Sequence, residues 1–318
     1  MHAHDILALA FLATPTAAHG VVTMIRGANG VNMPGLTVAD GTPRDCSSNR
    51  CGSQADTAII RDREISSGRT GPLGRTQGRG NVDPAEMVAT FMGTAAAPAR
   101  INAANASVGV EDDLSGLSRV FGGRNRNQQR DEGSGVVVVA RQFLDRLRNA
   151  FGGGRNRNGG NTDSGTPSAQ ATETNVAAMA GLGATQGLPT CADDGTIDLV
   201  FHQINQDGAG PLTAAIDGTS GGTDPDAFQT AQVIEDVPGI AGFSLSTVRD
   251  FNVKVQMPAG MTCDGTVAGV QNVCIVRVRN NAIAGPFGGS AAFTMSPAAR
   301  KRAVDYQRKM KRAVAFRA

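Results

Sequence analysis

The chain has 318 residues, with 30 basic and 28 acidic side chains for a formal net charge of +2. Aromatic residues make up only 4%, there is no tryptophan, Tyr306 is the one tyrosine, and glycine occurs 41 times. At ~100–200 residues per domain this length forms one large or two ordinary domains, and the composition reads as a loop-rich secreted β protein with a modest core. Beyond the N-terminal segment no apolar run approaches the ~20 residues of a membrane helix, so no transmembrane segment is expected.

Residues 1–18 read as a secretory signal peptide. Ile6 to Ala13 is a short apolar core, Pro15 follows, and Thr16 and Ala18 are the small residues a signal peptidase reads; Met1 to Asp5 carries no Lys or Arg. Cleavage after Ala18 would start the mature chain at His19-Gly20-Val21-Val22 and leave His19 and His202 as its only histidines. An N-terminal histidine offers two nitrogens, its amine and its ring Nδ1. A second histidine would complete the T-shaped three-nitrogen brace that holds copper in lytic polysaccharide monooxygenases, and imidazole suits copper. His19 and His202 are therefore the candidate metal ligands and copper the candidate cofactor. The competing reading makes His19 merely the first mature residue and His202 an ordinary strand position.

Residues 19–120 are expected to supply the first part of a β-sandwich and a helical segment. Val21, Val22, Met24 and Ile25 start a strand, and Asn29-Gly30, Pro34-Gly35 and Asp40-Gly41 mark turns. Asp83-Pro84-Ala85-Glu86 opens a helix, with Asp83 as N-cap and Pro84 at the first helical position; Met87, Val88 and Phe91 share one face. Asn105-Ala106-Ser107 is the clear N-glycosylation sequon.

Over 121–171 the composition shifts. Phe121-Gly-Gly-Arg-Asn-Arg-Asn127 recurs near Phe151, a short apolar and helical island lies between, and Gly159 to Ala171 is Gly, Asn, Ser, Thr and Pro. Such sequence buries too little apolar area to offset the entropy of ordering it, so 121–171 reads as a flexible insertion. Its Arg-Asn runs lack the interleaved aromatics that stack on bases, and no nucleic-acid partner is expected.

From 172 to 298 the pattern is β. Ile197, Leu199 and Phe201 alternate with Asp198, Val200 and His202; Phe251, Val253, Val255 and Met257 alternate with Asn252, Lys254 and Gln256; Cys274, Val276 and Val278 alternate with Ile275, Arg277 and Arg279. Period-two alternation indicates half-buried antiparallel strands. Asp207 to Pro211, Asp217-Gly218, Pro258 to Gly260, Asp264-Gly265 and Ala284 to Gly289 are the expected turns. The fold class is mainly β, an antiparallel sandwich with a helical and partly disordered insertion. Five cysteines imply two disulfides and one thiol: Cys263 and Cys274 are spaced for a hairpin staple, while Cys46, Cys51 and Cys191 compete for the second bond.

Residues 299–318 form a basic tail. Arg300, Lys301, Arg302, Arg308, Lys309, Lys311, Arg312 and Arg317 stand against one acid, Asp305. A basic stretch on a mildly acidic body suits polyanions, membranes or cell-wall polymers; the alternative is a solvated helix or a frayed end.

Other chemistries find little support. No P-loop or GxGxxG in strand–helix context occurs, and no G-x-S-x-G elbow. Glu111-Asp112-Asp113 and Asp193-Asp194 are adjacent acids, not two carboxylates facing each other across a sugar. Calcium at the Asp-rich turns would be unspecific. A polysaccharide oxidase normally stacks flat aromatics on its substrate; this chain has no tryptophan, and a phenylalanine would have to take the axial place commonly held by tyrosine.

Several runs resemble one secreted fungal family. They are His19-Gly-Val-Val-Thr-Met24, Gly27 to Leu36, Pro43-Arg-Asp-Cys46, Gly71 to Gly78, Gln203-Ile-Asn-Gln-Asp-Gly-Ala-Gly-Pro-Leu212, Val255 to Cys263 and Ala284 to Gly289. The family is the Egh-type virulence factors, also called Gas- or Mas-type appressorium proteins. The resemblance covers most of the chain outside 121–171. It implies secretion by a filamentous fungus and association with infection structures, and brings no established biochemical activity. Shorter members carry cysteine where Ala214 and Val278 stand, so their disulfide pairing does not carry over. The expected function is a non-catalytic, secreted or cell-surface protein that meets host surfaces or fungal cell-wall polymers. The rivals are a histidine-brace copper protein, which as an enzyme would be an oxidase or monooxygenase, and a polyanion-binding module.

Overall fold

The computed structural model describes residues 19–101, 165–282 and 285–315. The signal segment 1–18, the sequon at Asn105, the Glu111-Asp112-Asp113 cluster and most of the predicted insertion lie outside the described residues. All described residues fall within one compact unit, 17–112 with 162–318.

Thirteen strands build it: β1 (Gly20–Arg26), β2 (Asn32–Pro34), β3 (Ala58–Ile59), β4 (Arg75–Thr76), β5 (Gly80–Asn81), β6 (Thr166–Pro167), β7 (Thr196–Gln203), β8 (Thr213–Asp217), β9 (Phe228–Glu235), β10 (Arg249–Gln256), β11 (Gly265–Val267), β12 (Val270–Arg279) and β13 (Phe287–Phe293). They hydrogen-bond in the order β2-β1-β7-β10-β9-β8-β12-β13-β3-β4-β5, with β11 added to β12 and β6 to β10. The sheet curls at β9. Its first half, Phe228 to Ala231, pairs with β8, and its second half pairs with β10 across a register shift at Lys254/Val255. The curl brings β13 over β1, so that a Cβ on Gly289 would lie 2.8 Å from the Val22 nitrogen. The result is a mainly antiparallel sheet curled into a half-barrel, a sandwich whose two layers share β9.

The alternation in β7 and β10 does what its period requires. Leu199, Phe201, Val253 and Val255 enter the core with Val22, Ile25, Ile216, Ile275 and Phe293. Thr196, Asp198, Val200 and His202 lie on the opposite face of β7.

Strand β13 corrects a sequence expectation. The turn predicted over Ala284 to Gly289 ends earlier: Phe287 already pairs with Ile59 and Gly288 with Arg279. The strand is buried along its whole length, so its sequence, Phe-Gly-Gly-Ser-Ala-Ala-Phe, shows no alternation. A Cβ on Gly288 would stand 2.0 Å from the Val278 carbonyl. Glycine here marks close backbone approach, not a turn.

The helices are α1 (Asp62–Ser66), α2 (Pro84–Phe91), α3 (Asn175–Met179), α4 (Gly183–Gln186) and α5 (Pro297–Ala315). Helix α2 starts as its sequence dictates: the Asp83 side chain accepts from Ala85 N at 2.9 Å, Pro84 opens the first turn, and Met87, Val88 and Phe91 are buried. The basic tail is the helix α5. No helix among the described residues is long and apolar enough to cross a membrane.

Residues 165–171, assigned by composition to the insertion, are paired. Thr166 and Pro167 extend β10 through Asp250 and Arg249, and Ala171 O accepts from Arg44 N at 2.8 Å. Arg44 then ties the two chain segments together. Its guanidinium donates to Glu173 from Nε at 3.0 Å and to both oxygens of Asp56, and all three side chains are buried. Burial alone would lower the Arg44 pKa; the carboxylates of Asp56 and Glu173 outweigh it and raise the pKa. Asp40 caps α3, its carboxylate accepting from Val176 N and Ala177 N at 3.0 and 2.9 Å.

Two disulfides form, Cys46–Cys51 and Cys263–Cys274. The first settles the three-way competition, and the second staples the β11–β12 hairpin region as expected. Cys191 is the free, buried cysteine; burial pushes its thiol pKa up.

Candidate functional site

The β1–β7 pairing puts His19 and His202 on one sheet face, although 183 positions separate them in sequence. Val21 is the register partner of His202, and Ile204 N donates to the His19 carbonyl at 3.0 Å. His19 therefore stands opposite Ile204, two residues from Val21, and shares a sheet face with His202. They are diagonal cross-strand neighbours, a relation that spans ~7–8 Å and is bridged by long or ring side chains. Both are fully buried.

The surroundings orient each ring. Asp250, the β10 partner of His202, places Oδ1 2.6 Å from His202 Nδ1. A carboxylate only accepts, so Nδ1 is the nitrogen that donates to Asp250, and Nε2 is the one left for another partner. His202 Nε2 is buried and has no hydrogen-bond partner among the described residues. A carboxylate on one ring nitrogen fixes the orientation of the imidazole, as it does for histidines that bind metals through the other nitrogen. The His19 ring lies against Phe287, with centroids 4.5 Å apart and planes inclined by 39°. The His19 backbone nitrogen, a peptide nitrogen in the full-length chain, donates to Asn205 Oδ1 at 2.7 Å.

The loop leading into β10 is pinned beside this pair. Gln203 Nε2 donates to Ser244 Oγ at 2.9 Å and to Ser246 O at 2.7 Å, and Val248 N donates to Ile204 O at 3.1 Å. Val248 sits at φ +55°, a left-handed conformation that is an outlier for a β-branched residue. Strain of this kind costs about 1–3 kcal/mol and persists only where neighbouring contacts impose it. Here it fixes the approach of the chain to Asp250.

Among the described residues no three or more His, Cys, Asp or Glu side chains gather to hold a metal. A brace draws on two histidines and a terminal amine instead. The sequence singled out His19 and His202 but not Asp250, Asn205 and Phe287, which contact them. Asp250 precedes an alternating run and carries no local signal, and Phe287 was read as part of a turn.

The remaining candidates are dispersed. Asp193 and Asp194 serve local structure: Ser296 Oγ donates to Asp193 at 2.7 Å, and Thr196 N donates to Asp194 at 2.8 Å, the bonds to Thr196 lowering the Asp194 pKa. The cysteines are two disulfides and a buried thiol. The tail cations Arg300, Lys301, Arg302, Arg308, Lys309, Lys311 and Arg312 all lie on α5.

Residues 17–288 match the Egh16-like virulence factor family. The chain belongs to that family. It is 52% identical over 303 residues to the appressoria-specific virulence factor GAS2 of Pyricularia oryzae, covering 95% of this chain and 91% of the relative. It is also 36% identical over 122 residues to the appressoria-specific virulence factor GAS1 of the same species, covering 37% of this chain and 47% of that protein. No solved structure matches the chain. This Egh16-like protein is thus a relative of fungal virulence factors. Ala214 and Val278 are register partners on β8 and β12.

Proposed function

We propose that this Egh16-like chain is the precursor of a secreted, infection-associated fungal protein whose mature N-terminus binds copper. Cleavage after Ala18 would free the His19 amine, and that amine, His19 Nδ1 and His202 Nε2 would be the three ligands. One observation carries the reading. His202 Nε2 is a buried nitrogen with no hydrogen-bond partner among the described residues, its ring held at Nδ1 by Asp250, on the same sheet face as His19. Leaving such a group unpaired costs about 1–3 kcal/mol, and a bound metal ion would remove that cost. Packing against Phe287 holds the His19 ring in place. The match to the family opens at residue 17, beside His19, and two disulfides suit an oxidising compartment.

Copper here serves a non-catalytic surface or matrix protein rather than a polysaccharide oxidase. With no tryptophan and a single tyrosine, on α5, the chain offers little flat aromatic surface for stacking on a sugar polymer. The names of the two relatives, both appressoria-specific virulence factors, favour a place at the contact between fungus and host.

The test is calorimetric titration of copper(II) into three proteins: the chain beginning at His19, the chain beginning at Met1, and His202→Ala in the first. Tight one-to-one binding by the first alone is expected. Equal binding by all three would remove the brace.

A further inference from the structure

Helix α5 has 19 residues and two unlike halves. In the first half Ala299 and Ala303 are buried, and the Tyr306 ring packs on Gly260, where an added Cβ would lie 2.7 Å from Tyr306 Cδ1. Gln307 Nε2 donates to Gly260 O at 2.7 Å, and Arg302 donates to Asp193 O at 2.8 Å. Arg300 reaches Asn272 at 3.1 Å. These contacts fasten the helix to the sheet. From Arg308 to Ala315 every residue is exposed.

The exposed half keeps the apolar face of the docked half. Tyr306, Met310 and Val314 are spaced by four, which stacks them in one row on a helix, and the row continues from Ala303. They are 43%, 49% and 66% exposed. Lys309 and Lys311 flank Met310 on either side, and Arg308 and Arg312 lie on the opposite face of the helix. The helix's one acid, Asp305, lies 3.8 Å from Arg308. A helix made only for solubility has no use for a continued apolar row, and one that binds a soluble polyanion needs only its cations. An apolar row edged by lysine, with arginine on the opposite face, is the pattern of a helix lying in a membrane interface. The stems of Lys309 and Lys311 can then run along the lipid while their ammonium groups reach phosphate.

We infer that the second half of α5, Arg308 to Ala315, docks the protein on an anionic phospholipid surface, Met310 and Val314 entering the interface and the flanking cations pairing with headgroups. The inference is independent of the copper reading and uses none of its residues. Charge complementarity selects the partner. Each cation near an anionic bilayer strengthens partition about fivefold, whereas two aliphatic side chains give only a weak hold on neutral lipid.

The test is co-sedimentation of the full chain with phosphatidylcholine vesicles, with and without about one-third phosphatidylserine, and binding to heparin as a soluble polyanion. Two variants accompany it, Met310→Ser/Val314→Ser and Arg308→Gln/Lys311→Gln/Arg312→Gln; all five positions are exposed. Expected are sedimentation with the anionic vesicles alone, a loss of about 100-fold for the charge variant, and a loss of about tenfold for the apolar variant with heparin binding unchanged. The inference is overturned by no sedimentation with anionic vesicles at low salt. It is equally overturned if Met310→Ser/Val314→Ser sediments as the parent does, since binding would then be a polyanion contact without a bilayer.

Discussion

Replacing Arg44 by methionine keeps the volume of the side chain and removes its charge from the most enclosed ionic group of the fold. The guanidinium donates one bond to Glu173 at 3.0 Å and two to Asp56. Asp56 and Glu173 are 1% and 2% exposed, so water cannot take its place. Each charge-assisted bond is worth about 1.5–3 kcal/mol when lost, but the three do not add. Asp56 keeps Ala39 N at 3.2 Å, and Glu173 keeps Thr174 N and Asn175 N at 3.1 and 3.0 Å. What remains is two buried carboxylates without a cation, a change that costs about 3–5 kcal/mol. Against a domain stability of about 5–15 kcal/mol this is about a fifth or more. The triple variant Arg44→Met/Asp56→Asn/Glu173→Gln removes the stranded charge as well and should regain about 2 kcal/mol of the loss. Guanidinium denaturation followed by far-ultraviolet circular dichroism, with disulfides intact, measures both. A loss under about 1 kcal/mol for Arg44→Met would refute the reasoning, because it would mean that water reaches the cluster.

Asp250→Asn should weaken copper binding about 10–100-fold, read by competition titration, because an amide no longer fixes the proton on His202 Nδ1. Gly289→Ala places a Cβ 2.8 Å from Val22 N and 2.9 Å from Val22 Cβ; the two layers must part, and the melting temperature should fall by an amount matching about 1–3 kcal/mol. For Asp217, burial would raise the carboxyl pKa, but the Ser220 hydroxyl and the backbone N–H groups of Thr219, Ser220 and Gly222 outweigh it and hold the pKa down. A depressed folded pKa gives stability that is present above the unfolded value of about 3.9 and is lost as pH falls through the folded one. Asp217→Asn should therefore flatten the loss of stability below about pH 4, measured by denaturation at a series of pH values; an unchanged slope would show that Asp217 is not the group responsible.

The fold was legible where one face is buried and one is not. Ile197 to Phe201 and Phe251 to Val255 alternate because the far side of their strands carries polar groups, and Asp83-Pro84 declares the start of α2 through its own backbone chemistry. Strand β13 was hidden because both its faces are covered: glycine and alanine are selected by lack of space, and they read as a turn. The pairing of Thr166 to Ala171 was hidden for a related reason, since its partners Asp250 and Arg44 lie 80 or more positions away and no local composition reports a long-range ladder. Of the site, the two histidines were legible because they are the only ones a mature chain would keep. That they share a sheet face depends on the β1–β7 register, which is a property of the sheet. Asp250 becomes significant only through that register.

The most direct test of the central claim is a crystal structure of the protein beginning at His19, grown with copper(II). One copper ion with the His19 amine, His19 Nδ1 and His202 Nε2 each about 2 Å away is the predicted result, with Asp250 still on His202 Nδ1. Copper bound elsewhere, or a mature chain in which the two imidazoles point apart and bind no metal, would contradict it.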